Sequence, residues 1–547
     1  MRLRPYQQRA SDAVIEAWKE HTSALVVLPT GCGKTILFAD VIRRIQPARA
    51  MVIAHREELI FQAQRKIMAV TGLDAQVEMG EYRVAMLSPS PVVVSTIQTQ
   101  TAGGDGGGRM SKFDPMDFGV LVIDEGHHAV SATYRRCIDW YKRNPNLRIL
   151  LVTATPDRSD EEALGQVCDT VAFDYEILDA INGGWLVPVE QQMVHVEGLD
   201  FANCRTTAGD LNGADLAEVM ENEKNLHGIA DPAFRIAGDR RALLFAASVE
   251  QAERLSEILN RYRPGCSGWV CGKTDKDSRR KVLSDFATGA LQFVCNVGVL
   301  TEGFDDSGVE LVFMARPTKS RSLYAQMAGR GTRPAESIAH ALNDAPTDEA
   351  RRHMIATSSK PMCRIVDFVG NAGRHKLVCT ADILGGNVSD EAVEAAVKKA
   401  RESGKPVDMS AELVAAQKEI ETRKRIEAAK RAALTARAKF SVSQVNPFDV
   451  FDISPVQERG WDRGKTLSER QSEMLMRQGI NPDGLPYAHA RQLLNEMFRR
   501  FDNNLASFKQ AKLLKKNGFV APMRRQEASK ALDKISVRQG WKKAGVA

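Results

Sequence analysis

A chain of 547 residues, 43% of them hydrophobic, is long enough for two to four domains with buried cores. It holds no run of about 18 apolar residues, which excludes a membrane-spanning helix, and its start, Met1-Arg2-Leu3-Arg4-Pro5, lacks the apolar core of a signal peptide. The net charge of +6 is uneven: residues 386–547 hold 31 Lys and Arg against 20 Asp and Glu, so the C-terminal third is basic by +11, either a polyanion contact or a solvated helical face.

Arg4-Pro5-Tyr6-Gln7 opens a proline-started helix over 8–19. An apolar strand, 24–28, then runs into Pro29-Thr30-Gly31-Cys32-Gly33-Lys34-Thr35 and a second helix. A phosphate-binding loop needs this order. Its glycines let backbone N–H groups turn inward, so Thr30, Gly31, Cys32 and Gly33 are expected around the phosphates. Lys34 neutralises the β- and γ-phosphates and the Thr35 hydroxyl holds Mg²⁺. The general pattern wants a glycine where Leu28 stands and is only partly met. Gln7, just upstream of this loop, is a candidate adenine reader, because an amide can pair with both edge groups of that base.

Strands alternate with helical stretches beyond this point. Residues 50–54, 92–94, 120–123 and 149–152 are almost wholly apolar, as strands covered on both faces must be. Each ends in polar residues, where an open α/β sheet binds ligands: His55-Arg56, Ser95-Thr96, Asp124-Glu125-Gly126-His127 and Thr153-Ala154-Thr155-Pro156. Asp124 can hold Mg²⁺ through water, and Glu125 can polarise an attacking water. The glycine-rich 103–108 reads as a mobile loop.

A connection with a small helical insertion, 181–240, leads to a second α/β block. Its strands are 242–246, 268–271, 293–297, 311–315 and 364–368, and it has no phosphate loop of its own. It carries Thr301-Glu302-Gly303-Phe304-Asp305, with Gly303 and Asp305 expected at the nucleotide, and then Gln326-Met327-Ala328-Gly329-Arg330-Gly331-Thr332-Arg333. Arg330 and Arg333, three apart, share a face if helical, and their planar forks suit a γ-phosphate approached from outside the first block.

Residues 389–440 are rich in Ala, Glu, Lys and Arg. The stretch 411–439 reads as one long exposed helix or a partly disordered spacer. A repeat follows: Ser468-x-x-Gln471, Leu475, Gly479 and Ile480 recur 39 residues later as Ser507-x-x-Gln510, Leu514, Gly518 and Phe519. Each copy has a capping box, a glycine stop with an apolar residue packing back on the leucine, and then a second helix, 487–500 or 526–534. The loops are too long for a DNA-reading helix-turn-helix. Basic residues crowd the second copy, Lys512, Lys515 and Lys516 among them, and suit phosphate or a protein-docking role. The nine scattered cysteines form no CxxC pair, which favours reduced thiols over a zinc site.

With these motifs in order, residues 1–385 resemble the superfamily two helicases of the DEAH-like branch, nearest the group of type III restriction motors, XPB-type helicases and phage-encoded DNA helicases. The box reads Asp-Glu-Gly-His, where the commonest form has alanine at the third place. The resemblance implies that His127 and Gln326 couple the nucleotide to the inter-domain cleft, and that Arg56, Thr96 and Thr301 touch the nucleic-acid backbone. The expected architecture is α/β: two tandem RecA-like parallel-sheet domains (1–180 and 241–385), a charged helical linker (386–446) and an α-helical C-terminal region (447–547). The expected activity is an ATP- and Mg²⁺-dependent DNA helicase or translocase on single-stranded or branched DNA, with RNA as the other polynucleotide. No membrane partner is expected, and the expected location is the cytoplasm of a bacterial or phage-infected cell. The C-terminal region is open to a replication, repair or restriction protein. Two rivals are a duplex translocase that does not separate strands and a nucleic-acid-binding scaffold with a dead ATPase. No Asp…Glu-x-Lys nuclease cluster follows the motor, so the first would need a partner to cleave.

Overall fold

The computed structural model describes residues 3–86, 88–103, 109–154, 164, 165, 167–207, 209–301, 304, 306–373, 375, 377–385, 388–403, 405–435, 446–462, 464–519 and 523–538. The chain divides into two units, residues 1–386 with 393–413, and residues 387–392 with 414–547.

The apolar runs of the first unit build two parallel-dominated sheets of RecA-like type. The first holds β1 (Ser23–Val27), β2 (Arg49–Ala54), β3 (Ala75–Glu78), β4 (Val92–Thr96), β5 (Phe118–Asp124), β6 (Arg148–Thr153) and β7 (Thr170–Asp174). Its strand order is β3-β4-β2-β5-β6-β1-β7, and every pairing is parallel. Leu25, Val26, Met51, Val52, Leu121 and Val122 are all buried, because helices cover both faces. Parallel alignment brings the C-terminal ends of β1, β5 and β6 side by side, with Val27 opposite Thr153 and Asp124 opposite Val152. The phosphate-loop sequence and the Asp-Glu-Gly-His box therefore emerge at one edge of the sheet.

The second sheet begins earlier than expected. The segment 181–240 supplies β8 (Val189–Asp200), the hairpin β9 (Thr206–Thr207) and β10 (Asp210–Leu211), and the helices Gly213–Met220 and Glu223–Ala237. With β11 (Ala242–Ala246), β12 (Ser267–Val270), β13 (Phe293–Asn296), β14 (Leu311–Ala315), β15 (Cys363–Asn371) and β16 (Val407–Asp408), the order is β12-β13-β11-β14-β15-β8-β16. Only β16 is antiparallel in this sheet. So 181–240 is not a mere connection. The strand β8 pairs with β15 over most of its length, and its helices enter the same core as β11 and β14 through Leu216, Leu226, Ile229 and Ala233.

The helix Met409–Thr435 forms as the composition suggested, but it is not exposed all round. Leu413, Ala416 and Ile420 are buried on one stripe. In the second unit the repeat folds as read. Ser468 and Ser507 each accept from the backbone of the glutamine three on, and each glutamine side chain bonds back to its serine N–H, capping the helices Glu469–Arg477 and Phe508–Lys516. Gly479 and Gly518 stop them at φ 81° and 80°, and Ile480 N–H and Phe519 N–H close on the carbonyls of Leu475 and Leu514. The copies differ afterwards. Ile480 is buried with Leu475, Leu493 and Phe508, whereas Phe519 is 40% exposed, so the second copy buries its residue after the glycine less than the first. The second helices are Tyr487–Asp502 and Arg525–Arg538. Among the described residues no helix is long and apolar enough to cross a membrane. The nine cysteines are free, eight of them buried.

Candidate active site

The turn after β1 puts Gly31 at φ 89° and Gly33 at φ 76°, a left-handed pair that points successive backbone N–H groups to one side. Gly33 caps the helix Lys34–Arg44, so Lys34 and Thr35 stand in its first turn. Across from them, β5 delivers Asp124, and Glu125 follows at φ 51°, a rare conformation for a residue with a side chain. Lys34 Nζ donates to Glu125 Oε1 at 2.7 Å. Burial pushes the Glu125 carboxyl up, but Lys34, then His127, outweighs it and holds the group below the usual carboxylate range. Burial likewise pulls Lys34 down, yet Glu125 and Asp124 leave it raised. Glu125 Oε2 is buried, has no hydrogen bond, and lies 3.5 Å from His127 Nδ1, which is itself 3.1 Å from Thr153 Oγ1. The glycine of the box has a packing cause: a Cβ at Gly126 would stand 2.9 Å from Leu151 Cβ and 3.3 Å from the Val152 nitrogen.

The second sheet reaches the same place. The helix Arg321–Ala328 ends at Gly329, where a Cβ would meet Thr30 Cβ at 2.7 Å, so its C-terminus abuts the phosphate loop. Arg333 lies against Gly31, with its Cγ 3.3 Å from where a Cβ would be. Arg330 is turned otherwise. It is buried and donates to the carbonyls of Phe304 at 2.6 Å and Thr301 at 2.5 Å. Gln326 is buried in the same helix. Thr30, Gly31, Gly33, Lys34, Thr35, Asp124, Glu125, Arg330 and Arg333 line one cavity of about 560 Å³. Gly303 and Asp305 lie outside the described residues.

A polyphosphate and a magnesium ion suit this donor set. A left-handed glycine pair, an ammonium and a guanidinium face anionic oxygens, the Thr35 hydroxyl and the Asp124 carboxylate are hard oxygen donors, and Glu125 Oε2 is a buried acceptor awaiting a donor. Gln7 lines the same cavity and abuts the phosphate loop, with its Nε2 2.6 Å from where a Cβ at Gly33 would be. Its Nε2 donates to the Cys32 carbonyl at 2.9 Å and its Oε1 accepts from Arg4 N–H at 3.0 Å. Cys32 itself is fully buried, and burial pushes its thiol up to about 12, so its backbone faces Gln7 while its sulfur stays an inert apolar group. Tyr6 also donates to the Cys32 carbonyl, at 3.0 Å, and stacks on Tyr175 with 4.9 Å between ring centroids. The sequence reading missed Arg4, His340 and Asn343, which line the same cavity. Nothing local marks them, since the last two stand more than 300 residues from the phosphate loop.

The three residues expected at a nucleic-acid backbone are engaged with protein. Arg56 Nη1 donates across the cleft to the Gly298 carbonyl at 2.9 Å, and Thr301 Oγ1 donates to the same oxygen at 3.2 Å. Thr96 is buried and caps the helix Ile97–Thr101. In the second unit Lys515 pairs with Asp452 at 2.6 Å, whereas Lys516 is exposed and Lys512 partly so.

Residues 1–158 match the family model of the type III restriction enzyme res subunit, and residues 225–335 match the helicase conserved C-terminal domain. The chain is 28% identical over 386 residues to a Saccharomyces cerevisiae protein named "Putative ATP-dependent helicase IRC3", covering 67% of this chain and 51% of that one. It is 25% identical over 313 residues to a 51.5 kDa protein of a Lactococcus phage, covering 56% of this chain and 62% of that one. It is 32% identical over 226 residues to the DNA 3'-5' helicase XPB of Kineococcus radiotolerans, covering 41% of this chain and 37% of that one. The chain thus spans about half the length of the curated relatives it matches. Two matched domains in sequence, laid on two RecA-like sheets that meet at a phosphate loop and an Asp-Glu-Gly-His box, make the motor part of this chain, residues 1–335, similar to superfamily two of the helicases.

Proposed function

We propose that the protein is an ATP-dependent DNA helicase or translocase in which ATP hydrolysis between the two RecA-like domains drives movement on DNA. One observation carries this reading: Lys34, Thr35, Asp124 and Glu125 from the first domain and Arg333 from the second line a single cavity. The phosphates take the inward N–H groups of the loop, Lys34 and Thr35. Mg²⁺, when bound, screens their charge, with Thr35 and Asp124 as its protein-side donors. A phosphate competing for Lys34 breaks the Lys34–Glu125 pair and frees the carboxylate to orient and deprotonate the attacking water. His127 stands beside the second carboxylate oxygen and hands the change to Thr153. Arg333 meets the charge developing on the γ-phosphoryl group from the opposite side, so chemistry requires both domains.

The nucleic-acid positions are coupled to the same closure. Arg56 and Thr301 share the Gly298 carbonyl, and Thr301 also gives its own carbonyl to Arg330. A DNA phosphate that takes Arg56 or the Thr301 hydroxyl therefore loosens a bond in the chain of contacts leading to Arg330. DNA is favoured over RNA because the XPB relative is named a DNA helicase. A second reading, translocation on duplex without strand separation, is favoured by the match of residues 1–158 to a restriction-enzyme subunit.

Phosphate release with and without DNA tests the chemistry. Lys34→Ala should abolish turnover, and Glu125→Gln should bind ATP yet lower kcat by about a hundredfold or more. Near-normal turnover in either variant sinks the site, and the scaffold reading takes over if the wild type releases no phosphate. Strand displacement run beside triplex displacement then separates unwinding from translocation on duplex.

A further inference from the structure

Resting on that reading of the cavity as an ATP site, we propose that Asn343 and His340 of the second domain, together with Arg4 of the first, form the platform for the nucleotide base, so that the base as well as the γ-phosphate is held by both domains. Arg4 is fixed from three directions. Its Nε donates to Asn343 Oδ1 at 3.1 Å, its Nη1 donates to Tyr6 Oη at 3.2 Å, and its guanidinium lies over the Trp185 ring at 4.9 Å. A planar cation backed on one face by an indole presents the other to a second flat ring. Arg4, Gln7, His340 and Asn343 all line the cavity that holds the phosphate loop.

The chemistry of Gln7 selects the base. Its oxygen accepts from Arg4 N–H and its nitrogen donates to the Cys32 carbonyl, which fixes which way the amide points. Each atom keeps one further bond, an acceptor for an exocyclic amine and a donor for a ring nitrogen, which is the adenine edge. Guanine offers two acceptors there and leaves the Gln7 oxygen facing another oxygen. His340, between the short helical turns Glu336–Ala339 and Ala341–Asn343, and Asn343, at the end of the second, are both exposed and follow directly after the Arg333 motif. Opening of the cleft withdraws them together with Arg333, so loss of the base platform accompanies loss of the phosphate clamp and favours release of the spent nucleotide.

The test compares a ligand that has a base with one that lacks it. Binding of the fluorescent mant-ADP and of inorganic tripolyphosphate is titrated for the full-length wild type, Asn343→Ala, His340→Ala and Lys34→Ala. Both second-domain variants alter exposed side chains, so unchanged melting temperatures are expected to accompany the titrations. Asn343→Ala and His340→Ala should each weaken mant-ADP by about fivefold or more while tripolyphosphate affinity holds. Lys34→Ala should weaken both probes. Mant-ADP affinity within about twofold of wild type in both second-domain variants overturns the platform and leaves the phosphate site standing. Parallel loss of mant-ADP and tripolyphosphate in those variants also overturns it, because the residues then act through the phosphates. A wild type that binds neither probe overturns both readings.

Discussion

Arg330 and Arg333 are a turn apart in sequence and read alike as cations aimed at a γ-phosphate, yet the fold gives them different work. Arg330 is buried, and its two terminal nitrogens hold the Phe304 and Thr301 carbonyls. Arg333 is only partly buried, lies on the phosphate loop at Gly31, and reaches the Phe304 carbonyl by one longer bond of 3.4 Å. Arg330→Ala therefore removes two hydrogen bonds from a buried charged group and should cost about 2–4 kcal/mol of stability in denaturant titration, with turnover falling as well. Arg333→Ala should lower kcat by about a hundredfold or more, as loss of a trans-acting finger does, with a smaller loss of stability than Arg330→Ala because its bond to Phe304 is longer and its side chain less buried. Equal stability losses in the two variants would contradict this division. The sequence made the pair visible because an arginine spacing on a helix end is local. It could not divide the roles, because the carbonyls that occupy Arg330 come from a loop nearly 30 residues earlier. Thr96, Arg56 and Thr301 carry the same lesson: the protein partners that engage them could not be read from their motifs.

At the scale of elements, the strand β8 is the instructive case. Its Gln191, Gln192, His195 and Glu197 break the apolar pattern that marked β1, β2, β5 and β11, so the stretch read as connection. Gln191 is nevertheless fully buried, and its polarity has a partner: Gln191 Nε2 donates to Asp367 Oδ2 at 2.6 Å from β15, and Tyr324 Oη donates to Asp367 Oδ1 at 2.6 Å. Tyr324 stands on the helix that carries Gln326 and leads to Arg330, so this buried cluster ties the arginine motif to two strands. Burial pushes the Asp367 carboxyl up to about 6, against the lowering effect of its two hydrogen bonds. A carboxyl raised in the folded state binds its proton more tightly there than when unfolded. Stability is therefore highest below pH 4 with respect to this group and is lost as pH rises from about 4 to 6. Gln191 Oε1 is buried with no hydrogen bond, so turning the amide over would let it accept from an asparagine nitrogen. Asp367→Asn should thus remove the loss between pH 4 and 6 and stabilise the protein at pH 7 by up to about 3 kcal/mol, measured by denaturant titration across pH. An unchanged slope in the variant would show that Asp367 is ionised at little cost. The short edge strands β3 and β7 escaped the sequence reading for a plainer reason: they are only four and five residues long and mix polar with apolar residues, so they leave little pattern.

At the scale of the whole molecule, the question is what the second unit adds to the motor. Its repeats have their own cores: Phe448, Phe451, Leu475, Leu493 and Phe508 pack in one cluster, and Ala506, Leu514, Ala528 and Ile535 in another. The motor motifs all fall within the first unit, and β16, which completes the second sheet, ends at Asp408. A protein ending at Lys439 keeps β16 and the helix Met409–Thr435, so we expect it to fold and to retain basal ATPase. Its DNA affinity should fall, because residues 386–547 carry the basic surplus of the chain. If the lost contacts are to phosphates, each one reduces the slope of log K against log salt by about 0.7 to 0.9. The structure narrows which lysines to reverse. Lys515 is bonded to Asp452 and to the Asp449 carbonyl, so reversing it would break a tie within the unit and confuse folding with binding. Among the described residues Lys512 and Lys516, in the helix Phe508–Lys516, show no such tie to another element, and Lys512→Glu with Lys516→Glu should reproduce part of the loss of affinity and slope with the melting temperature kept. The measurement is DNA binding over a salt series for full-length, truncated and charge-reversed protein. Identical affinity and slope in all three would assign the second unit to a protein partner and leave DNA to the cleft alone, where Arg56 and Thr301 already meet.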